Sequence, residues 1–414
     1  MMPAMNAHAF VRTLTARQAR MDVALVTETY PPEINGVAMT LGRTVDGLLR
    51  RGHRVQLIRP RQGTQDRAGR QAGFDEVLVD GLPIPKYQGL RFGLPAEWRL
   101  LDIWRQRRPD IVHVATEGPL GWSAVSAARA LSLPVSSGFH TNFHNYSSHY
   151  GLHWLCRPIS GYLRRFHNRT DVTLVPTRAL AQELEALGYR NLAVVSRGVD
   201  AALFHPGRRS VRLRADWGVS ERQRAAICVG RLAPEKNIAL ALEAYAAIRQ
   251  ECPDMRMVFV GDGPLRAELA ASWPEVVFAG ARSGIDLAEH YASADLFLFP
   301  STSETFGNVT TEALASGLAV VAYDYAAAAD LIADGFSGRK VAVDNAAAFV
   351  AASLDLSCMA DERLADLRAH AVAAVAHLDW ERIHDDFANV LADTIGSRPT
   401  VDGDGKYAAV SLRP

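Results

Sequence analysis

ICVGRLAPEKNIALALEAY, residues 227–245, reads as strand, loop and helix in close succession. An apolar run stops at Gly230, a short loop carries Arg231 and Lys236, and a helix-period stretch follows. The start of the chain repeats this order. DVALVT (22–27) leads into TETYPPEINGVAMTL (27–41), where Pro31 and Pro32 stiffen a loop and Gly36 opens a helix. Short, wholly apolar runs of this kind suit strands buried on both faces.

Comparable runs stand at RVQLI (54–58), EVLV (76–79), DIVHV (110–114), PVSSGF (134–139) and DVTLV (171–175). Helix-period stretches such as VAMTLGRTVDGLLRRGH and RALAQELEALGY separate several of them. The pattern pauses at RGVDAALFHPGRRSVR (197–212) and restarts with AAICVG, MRMVFVG, EVVFAG, DLFLFP and LAVVAY. Strands alternating with helices predict parallel α/β layers joined by crossovers. The expected organisation is a flexible start over 1–20, one α/β domain over 21–200, a second over 201–395, and a disordered Gly- and Asp-rich tail over 396–414. The last helix is expected near 380–395.

At 414 residues the chain can bury two or three cores, and 22% charged residues is ordinary for a soluble protein. Its four cysteines are scattered, without a Cys-x-x-Cys, and fit a reducing compartment. The first twenty residues hold three arginines but no apolar core, so no secretory signal is expected. No apolar run is long enough to span a bilayer. The formal net charge of zero hides an asymmetry. Residues 1–200 carry 25 Lys+Arg against 16 Asp+Glu, and residues 201–414 carry 20 against 29. A basic first half suits an anionic partner, although two-domain chains also drift apart in charge without consequence.

In open α/β sheets ligands sit beyond the carboxyl ends of the strands, so the loops after these runs matter most. Gly36 before a helix would let a backbone N–H approach an anion, or simply serve a turn. Arg231 and Lys236 can both reach a diphosphate, one as a fork and one as a point charge. In GDGPLR (261–266), Gly261 allows close backbone approach and Asp262 suits a turn. In STSETFGNVTTEALASG (301–317), Asn308 is a plausible helix cap, and Glu312 in the first helical turn suits the helix dipole. Glu304, in the loop, has no such structural excuse. GFHTNFHNYSSHYGLHW (138–154) holds four histidines among aromatics. No acidic or Cys ligand completes a metal site there, so a hydrogen-bonding wall for a polar ligand is the better reading.

Taken together, these residues resemble the retaining family 4 glycosyltransferases, over roughly 22–395. The most specific part is Glu304 and Glu312, eight positions apart, with Phe306-Gly307-Asn308 and Ala315-Ser316-Gly317, preceded by GRLAPEKN and GDGPLR. The resemblance implies two facing Rossmann-like domains of the GT-B type, with a nucleotide-sugar cleft between them. It implies that Gly36, Arg231 and Lys236 hold the donor diphosphate, and that Glu312 holds the ribose. Glu304, with Phe306, Gly307 and Asn308, would hold the donor sugar, and His140 would touch it near the reacting carbon. Gly261, Asp262 and Arg282 belong to the implied donor site, Arg282 beside the base. Asn35, Thr141, Asn142 and Tyr146 fall on the acceptor side. Where the family often has Asn-Gly-Val-Asp, this chain has Arg197-Gly-Val-Asp200, which leaves the role of position 197 open.

The FHTNFHNYSSHYG stretch is most similar to bacterial GDP-mannose-dependent mannosyltransferases and glycolipid-forming enzymes. Mannose from GDP-mannose is therefore the expected donor, with a UDP-sugar (glucose or glucuronate) as the alternative. The expected acceptor is a hydroxyl of a lipid or glycan. No cofactor, no metal and no nucleic acid is expected. Two stretches mixing Trp, Leu and Phe with arginines, 86–109 and 154–169, suit an anionic membrane surface or, equally, an ordinary amphipathic face. The expected location is cytoplasmic, peripheral at the inner face of the membrane. A nucleotide-sugar 2-epimerase of the same shape stays open as a rival. A dinucleotide oxidoreductase is disfavoured, because no Gly-x-Gly-x-x-Gly follows the first strand.

Overall fold

The computed structural model describes residues 20–33, 35–83, 91–140 and 156–397. The expected flexible start and tail fall almost wholly outside these residues, as do Thr141, Asn142 and Tyr146.

In the first half, strands β1 (Asp22–Val26), β2 (Arg54–Pro60), β3 (Arg70–Gln71), β4 (Phe74–Val79), β5 (Gly81–Pro83), β6 (Arg91–Gly93), β7 (Ile111–Val114), β8 (Val135–Gly138), β9 (Val172–Val175) and β10 (Leu192–Val194) follow one another. Eight of them form one sheet in the order β10-β9-β8-β7-β1-β2-β4-β3, parallel except for β3. The pair β5–β6 makes a small antiparallel ribbon. The second half supplies β11 (Ala225–Val229), β12 (Arg256–Val260), β13 (Val277–Gly280), β14 (Leu296–Phe299), β15 (Ala319–Tyr323) and β16 (Arg339–Val341). Their order is β13-β12-β11-β14-β15-β16, parallel throughout. Two Rossmann-like α/β domains result, as the strand–helix alternation predicts.

The apolar runs are buried on both faces for a visible reason. Ala24 and Val26 of β1 face a core with Leu100, Trp104 and Leu120, while Val23 and Leu25 face Val45, Leu48 and Leu391. In the second sheet Ile227 and Val229 point into one core, and Ala226 and Cys228 into the other. Alternation of side chains along a strand makes such two-sided burial require apolar residues at every position.

The last helix, Trp380–Gly396, lies where it is expected, but it packs on the first domain and not within the second, to which the division 201–395 assigns it. Its apolar stripe (Phe387, Ala388, Leu391) packs into the first domain's core with Met21 and Val23. Arg50, the last residue of helix Gly36–Arg50, and Arg51, which follows it, pair with Glu381 and Asp385 on it. Gly47 makes this contact possible, since a Cβ there would lie 2.3 Å from the His384 ring. The chain therefore crosses between the domains twice, and Val199 meets Asp379 where the crossings run side by side. Two cysteines that look scattered in the sequence also meet: Cys252 and Cys358, each at a helix end, have sulfurs 3.4 Å apart.

Candidate active site

A cleft of about 890 Å³ opens between the carboxyl ends of the two sheets, and both domains line it. On the first-domain side, Asn35 caps helix Gly36–Arg50: its Oδ1 accepts from the N–H groups of Val37 at 3.1 Å and Ala38 at 2.9 Å. Its Nδ2 donates to Thr29 and, at 3.4 Å, to Glu33. All the polar atoms of the Asn35 side chain are thus engaged within the domain. It lines the cleft and shapes its wall. Gly36 follows with its Cα open to the cleft; a Cβ built there meets only Nδ2 of Asn308, 4.0 Å away across the gap.

Asn308 opens helix Asn308–Ala315, so two helix N-termini face each other. Gly307 precedes it at φ +90°, in the left-handed region where glycine is favoured, and offers no capping side chain. The positive dipole end at each terminus favours an anion between them.

The cations stand beside this point. Arg231 lines the cleft, with a guanidinium nitrogen 3.7 Å from Glu235. Lys236 is paired with Glu304. Glu304 also accepts from Ser301 Oγ at 2.8 Å, and its backbone carbonyl accepts from Tyr325. Burial alone would raise the Glu304 carboxyl, but Lys236, Ser301 and Arg197 outweigh it and hold it below the usual carboxylate range. The group is therefore ionised at neutral pH. Thr305 Oγ1 crosses the cleft to the His140 carbonyl at 2.9 Å, and Phe306 is buried behind the loop.

Glu312 sits one turn into its helix and is half-buried. It accepts from Tyr291 at 3.0 Å, and burial pushes it up to about 7 against the opposing effects of Tyr291 and Arg43. Gly261 and Asp262 are not among the residues that line the cleft, but Gly261 packs directly on Gly230, which is one of them. A Cβ on Gly261 would fall 1.9 Å from the Gly230 carbonyl, so the glycine lets two loops pack. Asp262 closes its own turn onto Gly263 N–H and Arg266. Arg282 is similarly engaged, with Ala279 and Asp286.

The sequence reading passed over three groups on the first-domain wall. Glu28, at the end of β1, accepts from Leu120 N–H at the start of helix Pro119–Ala130, and burial first, with Glu117 adding to it, raises it to about 7. Glu117 and Tyr162 stand beside it, and the Tyr162 hydroxyl donates to the Glu117 carbonyl. Only the position of Glu28 directly after a strand could have drawn notice. Among the described residues no group of three or more His, Cys, Asp or Glu is arranged to hold a metal.

Two Rossmann-like domains facing each other across a cleft that holds Arg231 and Lys236 are the GT-B architecture of nucleotide-sugar transferases. The chain matches the model of Glycosyltransferase Family 4 over residues 34–203 and that of Glycosyl transferases group 1 over 223–358. A GDP-mannose-dependent alpha-mannosyltransferase of Mycobacterium tuberculosis is 38% identical over 316 residues, 75% of this chain and 81% of that one. An alpha-monoglucosyldiacylglycerol synthase of Streptococcus pneumoniae is 28% identical over 333 residues, 77% and 74% of the two chains. The chain thus belongs to the family 4, group 1 glycosyltransferases and is a hexosyltransferase. Among solved structures, sucrose-phosphate synthase of Thermosynechococcus elongatus shares the fold with a TM-score of 0.73 at 16% identity, covering 92% of this chain and all of that one.

Proposed function

We propose that the enzyme moves mannose from GDP-mannose, with retention of configuration, onto a hydroxyl of a membrane lipid or glycolipid. The observation that carries this reading is the convergence of Arg231, Lys236 and two helix N-termini on one point, with the ionised Glu304 next to it. Such a set stabilises a departing diphosphate while a carboxylate and nearby amides hold sugar hydroxyls. The choice of mannose and of a lipid acceptor draws on the named activities of the two relatives.

In this reading the Gly36 amide, Arg231 and Lys236 hold the diphosphate. Glu304 and the amides of 306–308 hold the sugar, and Glu312 meets the ribose. Attack comes from the face that the diphosphate leaves, and a diphosphate oxygen takes the acceptor's proton. The protein cations act where a metal otherwise would, so transfer in a chelating buffer is expected to be unchanged.

The membrane half of the proposal rests on helix Glu97–Gln106. Trp98 is 83% exposed there, among the exposed Arg99, Arg105, Arg107 and Arg108. An aromatic among arginines suits an anionic interface. No helix among the described residues is long and apolar enough to cross a membrane. Sedimentation with anionic vesicles at low salt should carry the protein down, and Trp98→Ala should weaken this. Failure to sediment at low salt removes the membrane component.

A thermal-shift panel of GDP-, UDP- and ADP-sugars tests the donor. At a hundred times its dissociation constant the true donor stabilises the fold by about 2.7 kcal/mol. A shift with UDP-glucose or UDP-glucuronate and none with GDP-mannose moves the donor to the alternative class. Conversion of UDP-N-acetylglucosamine alone to its epimer would replace transfer by isomerisation.

A further inference from the structure

The surroundings of Arg197 give the arginine a definite task. It is buried, lines the cleft, and lies close to the crossing between the domains. Its Nη2 is 3.1 Å from Nδ1 of His140. A guanidinium can only donate, so Nδ1 must be the acceptor. The imidazole is then neutral, with its proton on Nε2. That nitrogen is also buried, has no hydrogen-bond partner among the described residues, and is folded over Gly138, where a Cβ would come within 2.4 Å of it. On its other side the Arg197 guanidinium lies 5.9 Å from the ring centre of Phe306, in the loop after Glu304.

We infer that Arg197 is a positioning residue that withdraws His140 from proton transfer, occupying Nδ1 as an acceptor and fixing the neutral ring as a wall of the sugar site. The charged and titratable groups around the ring act the same way. Burial first, then Arg197 beside it, His113 of β7 and His167 of helix Cys156–His167 all oppose an imidazolium, and the ring titrates well below its ordinary value. Glu304, from the other domain, acts on Arg197 itself. Burial lowers the guanidinium to about 10 against that pull, which leaves it charged at neutral pH.

For the reaction, this inference rests on the glycosyl-transfer reading. The bond from the anomeric carbon to the diphosphate oxygen breaks, the bond to the acceptor oxygen forms, and the acceptor's proton passes to a diphosphate oxygen. His140 neither gives nor takes a proton.

Nitrogen-15 NMR of histidine-labelled full-length protein tests the tautomer directly, with a His140→Gln spectrum to assign the ring. Nδ1 should stay unprotonated from pH 5.5 to 8. An Nδ1–H tautomer, or a ring titrating near its ordinary value of about 6.5, overturns the inference. The kinetic arm uses Arg197→Met. Its kcat/KM should gain an acid limb, falling tenfold per pH unit, with a midpoint at least about one unit above any limb in the wild type. Arg197→Lys, which can still donate to Nδ1, should recover the wild-type profile. An Arg197→Met enzyme with the wild-type pH profile contradicts the inference. Should Arg197→Met fail to fold, the wild-type spectrum decides alone. Should no sugar transfer be found at all, the proposed function falls while the spectrum still judges the Arg197–His140 pairing.

Discussion

The second domain's wall of the cleft takes its charged groups from two short loops, Gly230–Lys236 and Ser301–Asn308, while the first domain's wall gathers Glu28, Arg91, Glu117, His140 and Tyr162 from five separate segments. The first arrangement concentrates cations and helix-end amides beside one ionised carboxylate. The second holds Glu28, raised by burial, and its Asn35 and His140 are already engaged in their own domain. In the proposed reaction one wall takes the charge that develops on the leaving group, and the other holds shape and faces the second substrate.

Substitutions on the two walls should therefore fail differently. The largest effect is expected from Lys236→Ala, which removes a cation from the diphosphate and leaves Glu304 unpaired. Turnover should fall by about a thousandfold, in the range seen when a transition-state donor is removed. Glu304→Ala comes next, with a loss of at least about a hundredfold in kcat/KM and little change in melting temperature. An enzyme that keeps near full activity without Glu304 would erase the distinction between the walls.

Glu312→Gln should act on stability as well as on nucleotide binding. The folded carboxyl titrates at about 7 against an ordinary 4.5, so the native state retains a proton that the unfolded chain gives up. Wild-type stability is then lost as pH rises from about 4.5 to 7. The glutamine variant escapes this, and its melting temperature relative to wild type should rise from pH 5 to pH 8, by the equivalent of about 1–2 kcal/mol. A constant difference across that range would mean that Glu312 is ionised in the fold.

The smallest effect belongs to the first-domain wall. Glu28→Gln preserves the hydrogen bond from Leu120, so the fold should be unaffected. The acceptor KM should change a few-fold, on the scale of one hydrogen bond of about 1 kcal/mol, with the donor KM unchanged. A change confined to the donor KM would assign this wall to the wrong substrate.

The same contrast explains what could be read from the sequence. Strands such as DVALV and AAICV declare themselves because burial on both faces requires an unbroken apolar run. Arg231, Lys236 and Glu304 were legible because each follows such a strand within a few residues. Short edge strands such as β3, β5 and β16 leave no such run. The return of helix Trp380–Gly396 to the first domain depends on Gly47 and on arginines more than three hundred residues away, which no local pattern reveals. Glu28 and Glu117 meet only because β1 and β7 are neighbours in the sheet.

The most direct test of the central claim follows labelled mannose from GDP-mannose, with vesicles containing a diacylglycerol glycolipid as acceptor. The account predicts label in the lipid as the α-anomer, one GDP released per lipid glycosylated, and loss of both products in Lys236→Ala. GDP-mannose left intact by wild-type enzyme, or converted without acceptor, would contradict it.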